Sequence, residues 1–321
     1  MDSGTHKPRL IVITGPTGVG KTELALALAC DWQAEIINAD SMQVYRYMDI
    51  GTAKPTPEMR RRIPHHLIDV VSPDEPFNAA RFVELAGQII ENLDRQGKPI
   101  FVVGGTGLYI RALLGGLFQG PSADEQRRTF YRDQMDRFGK AFLYEQLRRR
   151  DPQAASLIRP GDAVRIIRAL EVLELCGQSI VEKHREHRFG IRRYEILRIG
   201  LTMERSLLCE RIDARAQRMV DQGLLDEVRG LLASGYSDDL KPMRSLGYRH
   251  MVRFVRGALC SLDEALGLMK RDTRRYAKRQ MTWFGAERDT EWFSSRDRDA
   301  LKRRIGTYLE GGASAALPKI A

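Results

Sequence analysis

Leu10-Ile11-Val12-Ile13-Thr14-Gly15-Pro16-Thr17-Gly18-Val19-Gly20-Lys21-Thr22 decides the fold. An apolar run enters Gly-x4-Gly-Lys-Thr, and the residues behind it, Glu23-Leu24-Ala25-Leu26-Ala27-Leu28-Ala29, are strong helix formers. Strand, glycine loop and helix in this order make a phosphate cradle. The glycines let the backbone come close to phosphate oxygens, and the N–H groups of Gly15, Pro16-flanked Thr17, Gly18, Val19 and Gly20, with the helix N-terminus, are placed to face an anion. Lys21 adds charge at the terminal phosphates, and the Thr22 hydroxyl is suited to help hold Mg²⁺. The motif says that phosphates are gripped, but not what is done with them.

Working outward, short apolar runs alternate with helical patterns. Strands are expected at Leu10–Thr14, Glu35–Ala39, His66–Val71 and Pro99–Val103, with helices around 22–32 and 79–96. That alternation predicts an α/β fold, a P-loop-type parallel sheet core flanked by helices, with ligands beyond the carboxyl ends of the strands. From Pro121 the texture changes to Arg, Glu, Gln and Leu without a clear strand. Pro121-Ser122-Ala123-Asp124 marks a helix start and Arg159-Pro160-Gly161-Asp162 a break, so a mostly α-helical insertion domain is expected. Tyr194–Leu201 reads as a strand returning to the sheet, and long helices are expected near 204–234 and 261–284. The expected division is a first core part at 1–120, the insertion at 121–192, a second core part at 193–310 and a flexible tail at 311–321.

A chain of 321 residues can bury a full core without disulfides or metals. Its formal net charge of +10 fits a polyanionic partner or a phosphate substrate. Cys30, Cys176, Cys209 and Cys260 are scattered without a CxxC spacing, which argues against a disulfide framework and a zinc finger. The sequence has no apolar run long enough to span a membrane and no apolar secretion core at its N-terminus, so a cytoplasmic protein is expected.

The loops after the strands carry the candidate chemistry. Asp40 ends the second strand, where a carboxylate can hold Mg²⁺ through water or take a proton from a nucleophile. An aspartate at such a place can also cap the following turn. The fourth strand ends in Gly104-Gly105-Thr106-Gly107, where many nucleotide hydrolases carry an acidic Mg²⁺ ligand. Gly51-Thr52-Ala53-Lys54-Pro55 is a second small-residue loop with one lysine. His65 and His66 are neighbours on a strand and face opposite ways, and His184 and His187 lie in a charged stretch, so no protein-built metal cage is expected. Arg211, Arg215 and Arg218 share a helix face that reads as solvated and paired with Glu210 and Asp213. Lys270, Arg271, Arg274, Arg275, Lys278 and Arg279 crowd one helix with Tyr276, Trp283 and Phe284 between them, a pattern suited to phosphate contacts and base stacking.

These motifs, in this order, resemble the tRNA dimethylallyltransferases, also called tRNA isopentenyltransferases, of the bacterial type. The matching segments are Gly15–Thr22, Asp40–Tyr45, Met48–Pro55, His66–Asp69, Gly104–Tyr109, Arg168–Val172, Arg244–Arg249 and Ala277–Trp283, within residues 9–293. The resemblance implies transfer of a dimethylallyl group from dimethylallyl diphosphate to N6 of adenine 37, beside the anticodon, with Mg²⁺ as cofactor. It implies Asp40 as general base, Thr17 and Thr22 as donor-site threonines, and Arg215 as the arginine that holds the diphosphate together with residues 15–22. It also implies contact with the tRNA anticodon stem-loop by Asp40, Ser41, Met42, Gln43, Thr106, Arg128, Arg165, Arg168, Arg244, Gly247, Tyr248, Arg249, Lys278 and Arg279. A monomer is expected. Two positions depart from the pattern: Val164 stands where a glutamine is frequent, and Gly285 follows Phe284 where an arginine is frequent. The chief alternative is a P-loop nucleotide or small-molecule kinase. The basic aromatic helix and the large insertion argue against it.

Overall fold

A computed structural model describes residues 6–116, 121, 124–187 and 193–311. The chain divides into two compact units, one of Met1–Leu114 with Arg192–Ala321, the other of Gly115–Ile191.

The first unit is built on a six-stranded sheet, all of whose pairings are parallel. Its strands are β1 (Arg9–Thr14), β2 (Glu35–Asn38), β3 (His65–His66), β4 (Ile100–Val103), β5 (Glu195–Thr202) and β6 (Thr290–Ser294), in spatial order 3-2-4-1-5-6. Residues 10–13 of β1 read as an unbroken apolar run because both faces of the strand are covered there. Leu10 and Val12 enter one core with Ile37, Ile100 and Val102. Ile11 and Ile13 enter the other with Ile36, Phe101 and Val103. The register Ile13↔Val103 and Asn38↔Val103 brings the ends of β1, β2 and β4 level, so the loops after these strands emerge together.

Three sequence expectations change. The strand foreseen at 66–71 stops at His66, because Leu67 and Asp69 both take left-handed backbone, with φ of 62° and 57°. The helix foreseen over 204–234 is two helices, Arg205–Asp221 and Leu224–Ala233, broken at Gly223 with φ of 98°. β6 was not foreseen: it is short, half-buried throughout, and closes the edge beside β5. The helix Leu262–Gly285 forms as expected, capped by Ser261, whose Oγ accepts from Glu264 N–H at 3.1 Å.

The second unit is helical: Glu125–Phe138, Lys140–Arg150, Pro152–Leu157, Ala163–Cys176 and Ile180–His187. Asp124, Asp151 and Asp162 cap three of these helices. Its core gathers Tyr131, Leu143, Leu147, Ile166 and Leu170. Glu171 is fully buried within it and is clasped by Arg128 at 2.9 Å and Arg168 at 2.6 Å, which hold its carboxyl below the usual range despite burial. Of the expected tail, residues 312–321 lie outside the described residues. Among the described residues no helix is long and apolar enough to cross a membrane.

Candidate active site

The helix Lys21–Asp31 begins at Gly20 with no side-chain cap, which leaves the N–H groups of its first turn to a ligand. Lys21 bends back over the loop, donating to Gly15 O and Pro16 O at 2.9 Å each. Burial, reinforced by Arg215, lowers its ammonium to a pKa of about 8, against the opposing pull of Asp40 and Glu23. Arg215 is also pushed down by burial, and its Nη1 lies 3.4 Å from Thr17 Oγ1. Two desolvated cations thus share the cradle, the electrostatic situation that a bound polyanion relieves.

A cavity of about 550 Å³ opens on this pair. Thr17, Gly18, Gly20, Lys21, Thr22 and Glu23 line it from the cradle, and Arg211, Arg215 and Arg218 line it from the helix Arg205–Asp221. The solvated-face reading is therefore corrected for Arg215, while Arg211 and Arg218 are exposed, as that reading expected, and line the cavity from its solvent side. Asp213, their expected partner, instead binds Arg274 at 2.7 Å.

Asp40 lies just past β2. Its Oδ1 accepts from Met42 N–H at 2.8 Å, so it does cap the turn, while its side chain lines the cavity. Thr106 supports that turn: its hydroxyl accepts from Ser41 N–H at 3.0 Å, and its own N–H donates to Ala39 O at 3.2 Å. The glycines after β4 serve this packing. A Cβ on Gly104 would run into the Ala39 carbonyl, and one on Gly107 would strike the Trp283 indole. The motif admits protein backbone and side chains at close range.

A second cavity, of about 330 Å³, lies beside the first. Ser41, Met42, Arg244, Leu246, Arg249 and Arg279 contribute to its walls. Thr17, Asp40, Thr52, Arg215, Met219 and Tyr276 line both cavities, so the two meet at Asp40 and Arg215. Arg249 is held at 2.6 Å by Asp272, whose carboxyl is driven far below its ordinary range by His250 and by Arg249 and Arg271. Arg244 is exposed and paired with Asp239. Lys278 and Arg279 are exposed on the helix Leu262–Gly285.

Other expected site residues are tied mainly to the protein itself, although Gln43 also lines the larger cavity. Gln43 is buried, its Nε2 donating to Thr52 O at 3.0 Å and Ala53 O at 3.1 Å. Tyr248 is fully buried and donates to Glu227 at 2.5 Å, while Glu227 also accepts from the N–H groups of Asp49, Ile50 and Gly51. Gly247, with φ of 88°, starts the helix Tyr248–Val255. Lys54, the lysine of the small-residue loop, is a buried cross-link to Tyr45 O, Asp49 and Asp69, each at 2.6 Å. In the second unit, Arg128 and Arg168 are committed to Glu171, and exposed Arg165 lies 3.4 Å from Asp162. Val164, the departure beside it, is 80% exposed.

No group of three or more His, Cys, Asp or Glu that could hold a metal occurs among the described residues. His65 pairs with Ile63 O and His66 with Glu35, and the side chains of His184 and His187 lie outside the described residues.

A family model described as IPP transferase matches residues 43–288, and one described as isopentenyl transferase matches residues 8–69. The tRNA dimethylallyltransferase 2 of Syntrophus aciditrophicus is 58% identical over 311 residues, covering 97% of this chain and 100% of that protein. The chain belongs to the tRNA dimethylallyltransferase family. The tRNA dimethylallyltransferase 2 of Geotalea uraniireducens is 51% identical, covering 91% of this chain and 94% of that protein. The crystal structure of a tRNA isopentenylpyrophosphate transferase from Bacillus halodurans matches with a TM-score of 0.71 at 39% identity, covering 95% of this chain and 98% of that one. A eukaryotic dimethylallyltransferase, described as caught acting on tRNA, matches with a TM-score of 0.80 at 26% identity, covering 96% and 81%.

Membership in the tRNA dimethylallyltransferases makes the chain an enzyme, a prenyltransferase of tRNA modification, and the kinase alternative is not favoured. Within this dimethylallyltransferase site, sequence reasoning missed Thr52, Met219 and Gln280, and placed Tyr276 only on a basic helix. Gln280 is buried, accepts from Thr17 N–H at 2.8 Å and donates to Gly105 O at 2.9 Å, so it ties the cradle to the loop after β4. Its signal was an amide among cations, in a segment otherwise read for charge.

Proposed function

We propose that this enzyme transfers a dimethylallyl group from dimethylallyl diphosphate to N6 of adenine 37 in tRNA. The observation that carries the reading is the meeting of the two cavities at Asp40 and Arg215. One cavity is built around a buried cation pair suited to a diphosphate, and the other is rimmed by Arg244, Arg249 and Arg279, suited to a nucleic acid backbone.

In this reading the cradle amides, Lys21 and Arg215 hold the diphosphate and stabilise the charge it gains on departure. Thr22, whose hydroxyl side chain lines the larger cavity, fits a Mg²⁺ that takes its remaining oxygens from phosphate and water. When bound, the ion neutralises leaving-group charge. The adenine amine is a weak nucleophile because its lone pair is delocalised into the ring. Asp40 receives its proton as the new bond forms, with Oδ1 pinned by Met42 N–H and the second oxygen left for the amine. A stacked adenine must leave its stack to enter. Arg128, Arg165 and Arg168 supply the tRNA contacts of the second unit in this reading, and the protein works in the cytoplasm.

The test is incubation with unmodified tRNA, Mg²⁺ and labelled dimethylallyl diphosphate, followed by mapping of the label. Label on N6 of adenine 37 is expected. Hydrolysis of ATP with no transfer would overturn the proposal.

The Lys21 ammonium gives a pH signature. Its pKa of about 8 in the free protein must rise when a polyanion binds, so above pH 8 binding takes up a proton. The donor Kd is expected to be flat between about pH 7 and 8 and to weaken toward roughly tenfold per pH unit above that. Calorimetry in buffers of different ionisation enthalpy measures the uptake, and Lys21→Arg is expected to abolish it.

A further inference from the structure

The six residues common to both cavities are of two kinds. Thr17, Asp40, Thr52 and Arg215 are polar and surround the reacting groups of the mechanism above, whereas Met219 and Tyr276 offer a thioether and an aromatic ring. They come from different helices, Arg205–Asp221 and Leu262–Gly285, and Met219 is only 7% exposed. Neither is a hydrogen-bonding strut. Among the described residues the Tyr276 hydroxyl has no hydrogen-bond partner, and the ring's own contact is the Arg279 guanidinium, 5.6 Å from its centroid. Burial and the nearby Asp40 charge raise the phenol to a pKa of about 12, so it stays neutral beside the carboxylate.

An apolar surface at this point answers a chemical need. As the allylic carbon loses the diphosphate it gains positive character, and any water within reach competes with the amine. A carboxylate that accepts a proton from an amine accepts one from water equally well, so Asp40 cannot discriminate between them. Discrimination has to come from keeping water away from the carbon.

We propose that Tyr276 and Met219 form a water-excluding wall at the transfer point, which makes the adenine amine rather than water the acceptor. The inference rests on the transferase reading above. In the productive reaction the N6–carbon bond forms, the carbon–oxygen bond breaks with its electron pair leaving on diphosphate, and the amine proton passes to Asp40. In the leak the oxygen of water bonds to the same carbon, the same carbon–oxygen bond breaks, and the proton of water is lost to Asp40 or solvent. The products are then a five-carbon alcohol and diphosphate.

The experiment measures the ratio of free alcohol to prenylated RNA made by the full chain from labelled dimethylallyl diphosphate, Mg²⁺ and unmodified tRNA. Tyr276→Ala and Met219→Ala are each expected to raise this ratio about tenfold or more, and Tyr276→Phe, which keeps the ring, is expected to restore the wild-type ratio. The ratio is counted per turnover, so a smaller folded fraction does not move it, and the two alanine variants lie on separate helices and report independently. Transfer by wild type with a ratio unchanged in the variants that turn over would overturn the wall while leaving the transferase reading intact. Absence of transfer by wild type itself would overturn the reading beneath it.

Discussion

Replacing Asp40 by Ala is expected to lower the single-turnover transfer rate by about 10²–10⁴-fold while leaving tRNA affinity within a few fold. The carboxylate is the only one among the described residues that lines both cavities, the place where donor and acceptor meet in the proposed reaction. Its Oδ1 also holds Met42 N–H at 2.8 Å, and loss of that bond could by itself disturb the turn. Asp40→Asn separates the two effects, because the amide oxygen can still accept from Met42 N–H but the group no longer takes a proton. The asparagine variant should therefore retain the turn and tRNA binding and still lose the chemical rate. A rate near wild type in Asp40→Asn, measured with enzyme in excess over tRNA, would remove Asp40 as the base.

Arg215→Ala is expected to cost about 10²–10³-fold in the same rate, with weaker donor binding added to it. The guanidinium is desolvated beside Lys21 in the free protein, an arrangement that is unfavourable until a polyanion arrives. Its removal should relieve the repulsion on Lys21, so the lysine pKa is expected to rise and the proton uptake on donor binding to shrink. Calorimetric proton counts on the variant check that second effect, which a mere loss of packing would not produce. Unchanged kinetics would strip Arg215 of its place at the diphosphate.

The centre of the fold was legible because residues 10–13 of β1, 36–37 of β2 and 100–103 of β4 are buried on both faces and therefore form continuous apolar runs. The cradle was legible because its glycines and Lys21-Thr22 sit between two such signals. β6 was not, since Thr290, Glu291, Trp292, Phe293 and Ser294 are all half-buried and carry no clean alternation. The early end of β3 was hidden because left-handed backbone at Leu67 is set by tertiary packing and not by any glycine. At the site, spacing misled. Arg215 looked solvated by spacing alone, yet burial desolvates it in the cradle, and the Lys54 side chain, of which the sequence said little, is 2% exposed and triply bound. Gln280, Met219 and Tyr276 act through where three-dimensional packing puts them, which spacing along one helix does not reveal.

The order of strands in the sheet also bears on how the chain is made. β1 sits between β4 and β5, and Arg9 finds its partner Glu195 only 186 residues later. At about 5–20 residues per second, a ribosome needs roughly 10–40 s to deliver that partner. Throughout that interval one flank of this strand, apolar from 10 to 13, lacks its neighbour, while the contiguous helical unit at 115–191 emerges whole. The nascent enzyme therefore completes its inserted unit before its catalytic one, and the half-built sheet is the stage of its life most exposed to aggregation and most in need of a chaperone.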